Sequence, residues 1–258
     1  MIPIIRTGMA SASKDMAVIS HNIANGATNG FKRSSAQFED AYPTGMPGNV
    51  VPGIGSREVG ARRSHAPGAI KTSTQVLDMA VRGLGMFVLG PTSGEGRPSF
   101  TRNGSFQLDQ TGRITTPLGQ PVLSTEGLPI SVPAEITTEG GTTAALTALS
   151  IDSKGVVTGN YGLLGGVPLG RLALARFVNE PGLQALGDTN YGESIASGAA
   201  RYGAPGEVGF GTVQSGALEM SNADMTADLT ALIRAQQAFS ANSRILQAAV
   251  DIERKLSE

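Results

Sequence analysis

The sequence predicts an α+β chain in which N- and C-terminal coiled-coil-forming helices flank an extended linker and an all-β domain. Three observations predict it. Apolar residues recur at spacings of three and four near both ends of the chain. Between the ends, short apolar runs alternate with turns built on Gly, Pro and Asp. No strand–helix alternation occurs, which excludes a doubly wound α/β fold. The expected divisions are 1–36 for the first helical segment, 37–76 for the linker, 77–214 for the β-rich domain and 215–258 for the second helical segment.

The first helix is expected over residues 2–24. Ile2, Ile5, Met9, Ala12, Met16, Ile19 and Ile23 form an apolar seam of heptad spacing. Pro3 falls in the first turn, where no N–H donor is needed. Asn25-Gly26 supplies a stop, with Gly26 available for a left-handed C′ position. The second helix is expected over 222–256, capped by Ser221 or Asn222, with Asp224 at the positive end of its dipole. Met225, Leu232, Phe239 and Leu246 recur every seven residues, and Ala235, Asn242, Ala249 and Leu256 take the companion positions. The small companions permit close approach of a second helix, and Asn242 fixes register at a cost in stability.

The middle differs in kind. From about Phe38 to Ser73, Gly, Pro and Ser dominate without a period, which reads as an extended linker with a strand or two. Beyond Leu77, strands are expected at Met86–Leu89, Ser99–Leu108, Arg113–Thr115, Pro129–Val132, Leu149–Ile151, Val156–Thr158 and Leu169–Phe177. An isolated amphipathic helix cannot bury its seam. The two end helices therefore pair with each other or with copies in neighbouring subunits; the second arrangement leaves them disordered before assembly.

Composition excludes several functions. The 258 residues include 40% hydrophobic types, enough for a core, while 35 Gly and 14 Pro favour a turn-rich middle. A net charge of −1 gives no bulk attraction to nucleic acid or anionic membrane. With no Cys, disulfides, thiolate metal sites and Cys nucleophiles are excluded. Only His21 and His65 are present, and neither has a ligand-like neighbour, so no metal, catalytic or cofactor site is expected. Residues 1–25 lack the continuous apolar run of a cleavable signal peptide, and no run reaches the roughly 18 apolar residues of a membrane span.

Other candidates reduce to structure. Gly53-Ile-Gly55 and Gly83-Leu-Gly85 lack the βαβ context and the Lys-Ser/Thr of a phosphate loop, so they read as turns. Arg57, Arg62, Arg63 and His65 form a basic cluster, read as a solvated face or as a contact for an acidic patch on an adjacent subunit. Asp109, Asp152 and Glu139 lie near turns and read as turn formers rather than paired catalytic carboxylates. His21, beside Asn22, reads as a helix-end or subunit contact.

The stretch Asn22-Ile-Ala24-Asn25-Gly-Ala-Thr28-Asn-Gly30-Phe31-Lys32 carries a specific resemblance. It is similar to the signature of flagellar rod and hook axial proteins, with spacing matched throughout. Its asparagines can cap the helix end, Gly26 and Gly30 can take positive φ, and Phe31 can anchor the returning chain on the helix. Three further stretches resemble the family in order: Leu77–Val88, Phe100–Asp109 and Ser215–Asp224. Within the family, Asn179–Tyr191 favours the distal rod type. The segment Phe38–Gly55 is shorter than that type's usual insertion, which is associated with a straight, stiff rod, and Ile130–Ile136 resembles the proximal rod type.

The resemblance implies a structural, non-enzymatic subunit of the basal-body rod. The terminal helices would form an inner coiled-coil tube and the β-domain an outer layer. Implied partners are copies of the chain, other rod and hook axial proteins, the flagellar type III export apparatus and the outer rings around the rod. Export would be without cleavage and assembly periplasmic. A rod-associated wall enzyme or a secreted adhesin-like subunit is the alternative class.

Overall fold

The computed structural model describes residues 2–42, 53–92, 96–137 and 143–257. The chain is mostly β, with one long helix near each end, an α+β arrangement. It divides into two compact units. The first comprises Met1–Gly26, Lys32–Ser64 and Ala223–Glu258; the second comprises Ala27–Phe31 and His65–Asn222.

In the first unit, α1 (Ile2–Ala24) packs along α2 (Met225–Ser257). The seams thus meet within one chain, so the expectation of ends left disordered before assembly is corrected. A second face of α1 carries a β-hairpin of β1 (Ser34–Ala41) and β2 (Gly55–Arg63). That face is polar: the Ser11 and Ser56 hydroxyls lie 2.7 Å apart, and Lys14 pairs with Glu58 at 3.7 Å. Gly55 (φ 116°) is needed here, because a Cβ would fall 2.1 Å from Thr7 Oγ1. The hairpin pairs Ser34 with Arg63 through to Ala41 with Gly55, with a bulge at Gln37/Phe38. It occupies much of the segment 37–76 read as extended linker. Most of its residues are exposed or half-exposed, so no alternating apolar pattern marked it.

The second unit opens with β3 (Ile70–Thr72), β4 (Met79–Arg82), β5 (Met86–Leu89), β6 (Ser99–Thr101), β7 (Gln107–Leu108) and β8 (Ile114–Thr115). It continues with β9 (Glu135–Thr137), β10 (Thr143–Ile151), β11 (Val156–Tyr161), β12 (Gly166–Arg171) and β13 (Leu174–Arg176). It closes with β14 (Gln184–Gly187), β15 (Asn190–Gly192), β16 (Arg201–Gly203), β17 (Thr212–Ser215) and β18 (Ala217–Glu219). The larger sheet has the order β14-β15-β6-β5-β13-β16, and a second sheet runs β12-β11-β10-β9. Every strand pairing among the described residues is antiparallel, which suits a hairpin-rich sequence.

β5 explains where the core sits. All four of its residues are buried, and they alternate between two clusters. Phe87 and Leu89 join Phe106, Ile114, Val157 and Leu172, whereas Met86 and Val88 join Phe100, Phe177 and Tyr191. A strand covered on both faces reads as a continuous apolar run, which Met-Phe-Val-Leu is. Edge-to-face pairs order each cluster: Phe87–Phe106 at 5.1 Å and Phe100–Phe177 at 4.8 Å between ring centroids.

Several sequence expectations need adjustment. Ser99–Leu108 is two strands separated by a turn at Arg102–Gly104, and Leu169–Phe177 is divided between β12 and β13. Pro129–Val132 contributes only isolated bridges, Leu123 with Pro129 and Arg113 with Ser131. Pro129 has no N–H for a regular ladder. Gly83 (φ 110°) and Gly85 (φ 121°) form the tight β4–β5 turn.

Candidate assembly site

The signature following α1 is built from short polar contacts. Asn22, 1% exposed, clamps the backbone of Ser34: its amide donates to Ser34 O (2.7 Å) and its Oδ1 accepts from Ser34 N (3.0 Å). This two-point contact mimics a strand pairing and sets where β1 departs. Asn25 alone caps the helix end, donating through its amide to His21 O at 2.9 Å. Gly26 is not in the left-handed region as expected; its N–H turns tightly onto Ile23 O at 3.1 Å. Positive φ falls instead on Gly30, at 69°. Ala24 is exposed, Thr28 half-buried, Phe31 buried and Lys32 fully buried. Phe31, expected on the helix, belongs to the second unit, where its carbonyl accepts Asn222 N–H at 3.4 Å.

Within the second unit, the four resembling stretches converge. Gly30 N–H donates to Glu219 O at 2.7 Å, and a Cβ on Gly30 would lie 2.4 Å from Asn103 N. The Arg102 guanidinium, 3% exposed, donates to Glu219 Oε2 (3.2 Å), Val81 O (3.2 Å) and Gly83 O (2.8 Å). Glu219, 1% exposed, takes a further hydrogen bond from Gly68 N at 2.9 Å. These hydrogen bonds offset part of the cost of burying the charge pair, although the buried Arg102 Nε has no acceptor among the described residues. Arg102 and Glu219 lay inside the resembling stretches, but spacing alone gave them no role. Asn222, expected as a cap, donates instead to Ala66 O at 2.9 Å.

The helical seam is laid out as its period requires. On α1, Ile5, Ala12 and Ile19 are buried, and Ile2, Met9, Met16 and Ile23 are half-buried. On α2, Ala235 is buried and Leu232, Phe239, Leu246 and Ala249 are half-buried. Met225 is 53% exposed, although its methyl group lies near Gly26. The Leu256 side chain lies outside the described residues. The cap of α2 is Asp224, whose Oδ1 accepts Thr226 N (3.0 Å) and Ala227 N (3.1 Å).

One seam residue was not anticipated. Asp228 is fully buried and pairs with Arg33 Nη2 at 3.0 Å. Its position seven residues before Ala235 was the available signal. Large apolar residues remain exposed beside the seam: Leu229, Ile233, Ile245, Val250 and Ile252 on α2, and Ile4 on α1.

The remaining candidates are structural. Asp109 accepts Thr111 N–H and O–H and Arg113 N–H, and pairs with the Arg113 guanidinium at 3.0 Å. The Thr111 hydroxyl, the Arg113 backbone and the other donors of that turn hold its carboxyl well below the usual carboxylate range. Asp152 is lowered in the same way, chiefly by Lys154 N–H. The two aspartates sit in separate turns, and Glu139 lies outside the described residues. Arg57 pairs with Glu39 across the first-unit hairpin, which also carries Arg62 and Arg63, while His65 packs edge-on to Tyr191 in the second unit. Among the described residues, no group of acidic, His or Cys side chains is placed to hold a metal. No helix among them is long and apolar enough to cross a membrane.

Known proteins resemble this chain along its full length. The FlgG basal-body rod protein of Buchnera aphidicola from Acyrthosiphon pisum is 34% identical over 275 aligned positions, covering all of both chains. This chain belongs to the FlgG family of flagellar basal-body rod proteins. The Caulobacter vibrioides relative of the same name is 36% identical, covering 94% of this chain and 92% of its own. The Bacillus subtilis one is 32% identical, covering 97% and 95%. Family profiles agree: "Flagellar hook protein FlgE/F/G D1 domain" matches residues 80–159, and "Flagellar basal body rod FlgEFG protein C-terminal" matches 214–258. The hook protein FlgE of Borreliella burgdorferi shares 42% identity over 96 residues, 37% of this chain. The chain is thus a structural rod subunit of the flagellar basal body, not an enzyme, and the distal type favoured by its sequence accords with the FlgG relatives.

Proposed function

We propose that the chain polymerises laterally through its paired terminal helices, as part of the axial drive shaft. In this reading the inner coiled-coil layer is formed by residues 1–36 and 215–258, and residues 77–214 form the outer layer. The segment 37–76 connects them. The seam residues bond α1 to α2 within the subunit, and the exposed flank of α2 docks on neighbouring copies and on other rod and hook proteins. The observation that carries this is the exposed apolar set on the two flanks of α2, Leu229, Ile233, Ile245, Val250 and Ile252, with exposures from 46% to 59%, on a helix already packed along its seam. Apolar residues on both sides of a heptad seam suit a helix that touches more than one neighbour.

The chain would reach its site by the flagellar type III export apparatus, without cleavage, and assemble in the periplasm inside the outer rings. In this reading the Phe38–Gly55 segment is shorter than the distal type's usual insertion. It leaves less material for the stiffening contacts attributed to that insertion.

Substituting Ile233→Asp with Ile245→Asp should abolish rods and motility, because each places a charge where a neighbour would exclude water. The purified variant should keep wild-type helix content and thermal stability. Complete rods by cryo-tomography of basal bodies in such a strain would refute docking through this flank.

A further inference from the structure

The seam between α1 and α2 is nearly degenerate. On α1 the apolar positions repeat every seven residues, as Ile5, Ala12 and Ile19 and as Met9, Met16 and Ile23. On α2, Leu232, Phe239 and Leu246 do the same. Sliding one helix past the other by a heptad would therefore return apolar residues to apolar residues. Repeats of this kind need a device that selects one register.

The companion positions of α2 supply an alternation that such a slide would break. They read Asp228, Ala235, Asn242 and Ala249. Asp228 is fully buried against Arg33. Asn242 lies over the bare backbone of Gly8: a Cβ there would come within 3.0 Å of Asn242 Nδ2 and 3.5 Å of its Cγ. At the other end, Met225 lies over Gly26, with 3.5 Å from its methyl carbon to a Cβ built there. The two helices therefore run antiparallel, with Ala12 at the level of Phe239 and Met16 at the level of Ala235.

We propose that Asp228 and Asn242 are the register-determining residues of the helix pair. Both are polar, both occupy the seam, and each has a partner at one level only: Arg33 for Asp228 and the Gly8 gap for Asn242. A one-heptad slide strands Asp228 in the seam away from Arg33. It also sets alanine over Gly8, leaving a void, and drives Asn242 against a residue that carries a side chain. Breaking a buried ion pair and opening a cavity both oppose the slide. The register in turn fixes where Leu229, Ile233, Ile245 and Ile252 stand relative to α1. The inference thus deepens, and for its consequence rests on, the docking proposed above.

The test uses the purified full-length chain, which has no native cysteine. The pair Met16→Cys with Ala235→Cys reports the native register; Ala12→Cys with Leu246→Cys reports a one-heptad slide. In the otherwise unchanged chain, the first pair should cross-link at least about tenfold more than the second. Adding Asp228→Ala with Asn242→Ala leaves alanine at all four companion positions, which removes both the charge and the side chain that fills the Gly8 gap. The slid pair should then cross-link to within about threefold of the native pair, at unchanged helix content. The single variants Asp228→Ala and Asn242→Ala should give intermediate ratios. Native cross-links alone in all three variants would overturn the proposal. So would loss of helix content in all three, because the residues would then hold the helices together rather than choose between registers. Rods in cells are scored separately, so a failure of flank docking is not confused with a failure of register selection.

Discussion

Removing Arg102 should destabilise the second unit more than any surface change in the chain. The guanidinium is 3% exposed and holds three acceptors, of which the Glu219 carboxylate is 1% exposed. Arg102→Ala takes this guanidinium away from the buried carboxylate, which keeps its hydrogen bond from Gly68 N, and leaves the carbonyls of Val81 and Gly83 without this donor. Breaking a buried ion pair by deleting one partner costs about 3–5 kcal/mol. At roughly 2–4 °C per kcal/mol for a unit of this size, the melting temperature should fall by about 6–20 °C. Thermal and urea unfolding of the full chain, followed by circular dichroism and near-ultraviolet absorbance, would measure it. The double variant Arg102→Met with Glu219→Leu should recover most of the loss, because it removes both charges and fills their space. A loss under about 1 kcal/mol for Arg102→Ala, or a double variant as unstable as the single one, would refute this account of the pair.

Two further outcomes follow from the geometry. Gly30→Ala should lower stability by more than about 1 kcal/mol, since it adds a Cβ at φ 69° pressed 2.4 Å from Asn103 N; equilibrium unfolding that matches the unsubstituted chain would count against it. Asp109 has a folded pKa depressed below its unfolded value, so its contribution is complete above about pH 4 and is lost as pH falls toward the folded pKa. The stability gap between the chain and its Asp109→Asn variant should accordingly be constant near neutrality and shrink in acid, and a gap that widens in acid would contradict the sign.

How much of this was readable without coordinates depends on what each residue's signal competes with. The bounds of α1 were legible because seven apolar residues at spacings of three and four leave one face for burial. The cap of α2 was misplaced because Ser221, Asn222 and Asp224 are all good caps, and the Asn222 amide is drawn away to Ala66 O, a contact 156 residues distant. Asp228 was overlooked because charge argues against burial; only the ion pair with Arg33 makes its position tolerable. A strand or two was expected in Phe38–Ser73, but the pairing of β1 with β2 and its packing were hidden by composition, since the hairpin leans on α1 through serine, threonine and glycine rather than through an apolar face. Within the site, Asn22 was legible as a polar device but not its target, because Ser34 lies beyond the turn that its own side chain shapes.

The path of the chain has a practical consequence. It crosses between the two units four times, at 26–27, 31–32, 64–65 and 222–223, because five residues of the signature fold with the β-rich unit. Neither unit is therefore a continuous stretch of sequence. A fragment cut from His65 to Asn222 would lack Gly30, whose N–H is held by Glu219, and Phe31, whose carbonyl holds Asn222. Anyone seeking that unit alone would need to graft residues 27–31 back through a linker, or express them in trans. A protease acting between Phe31 and His65 would cut the polypeptide while leaving each unit joined to the other by its remaining crossings.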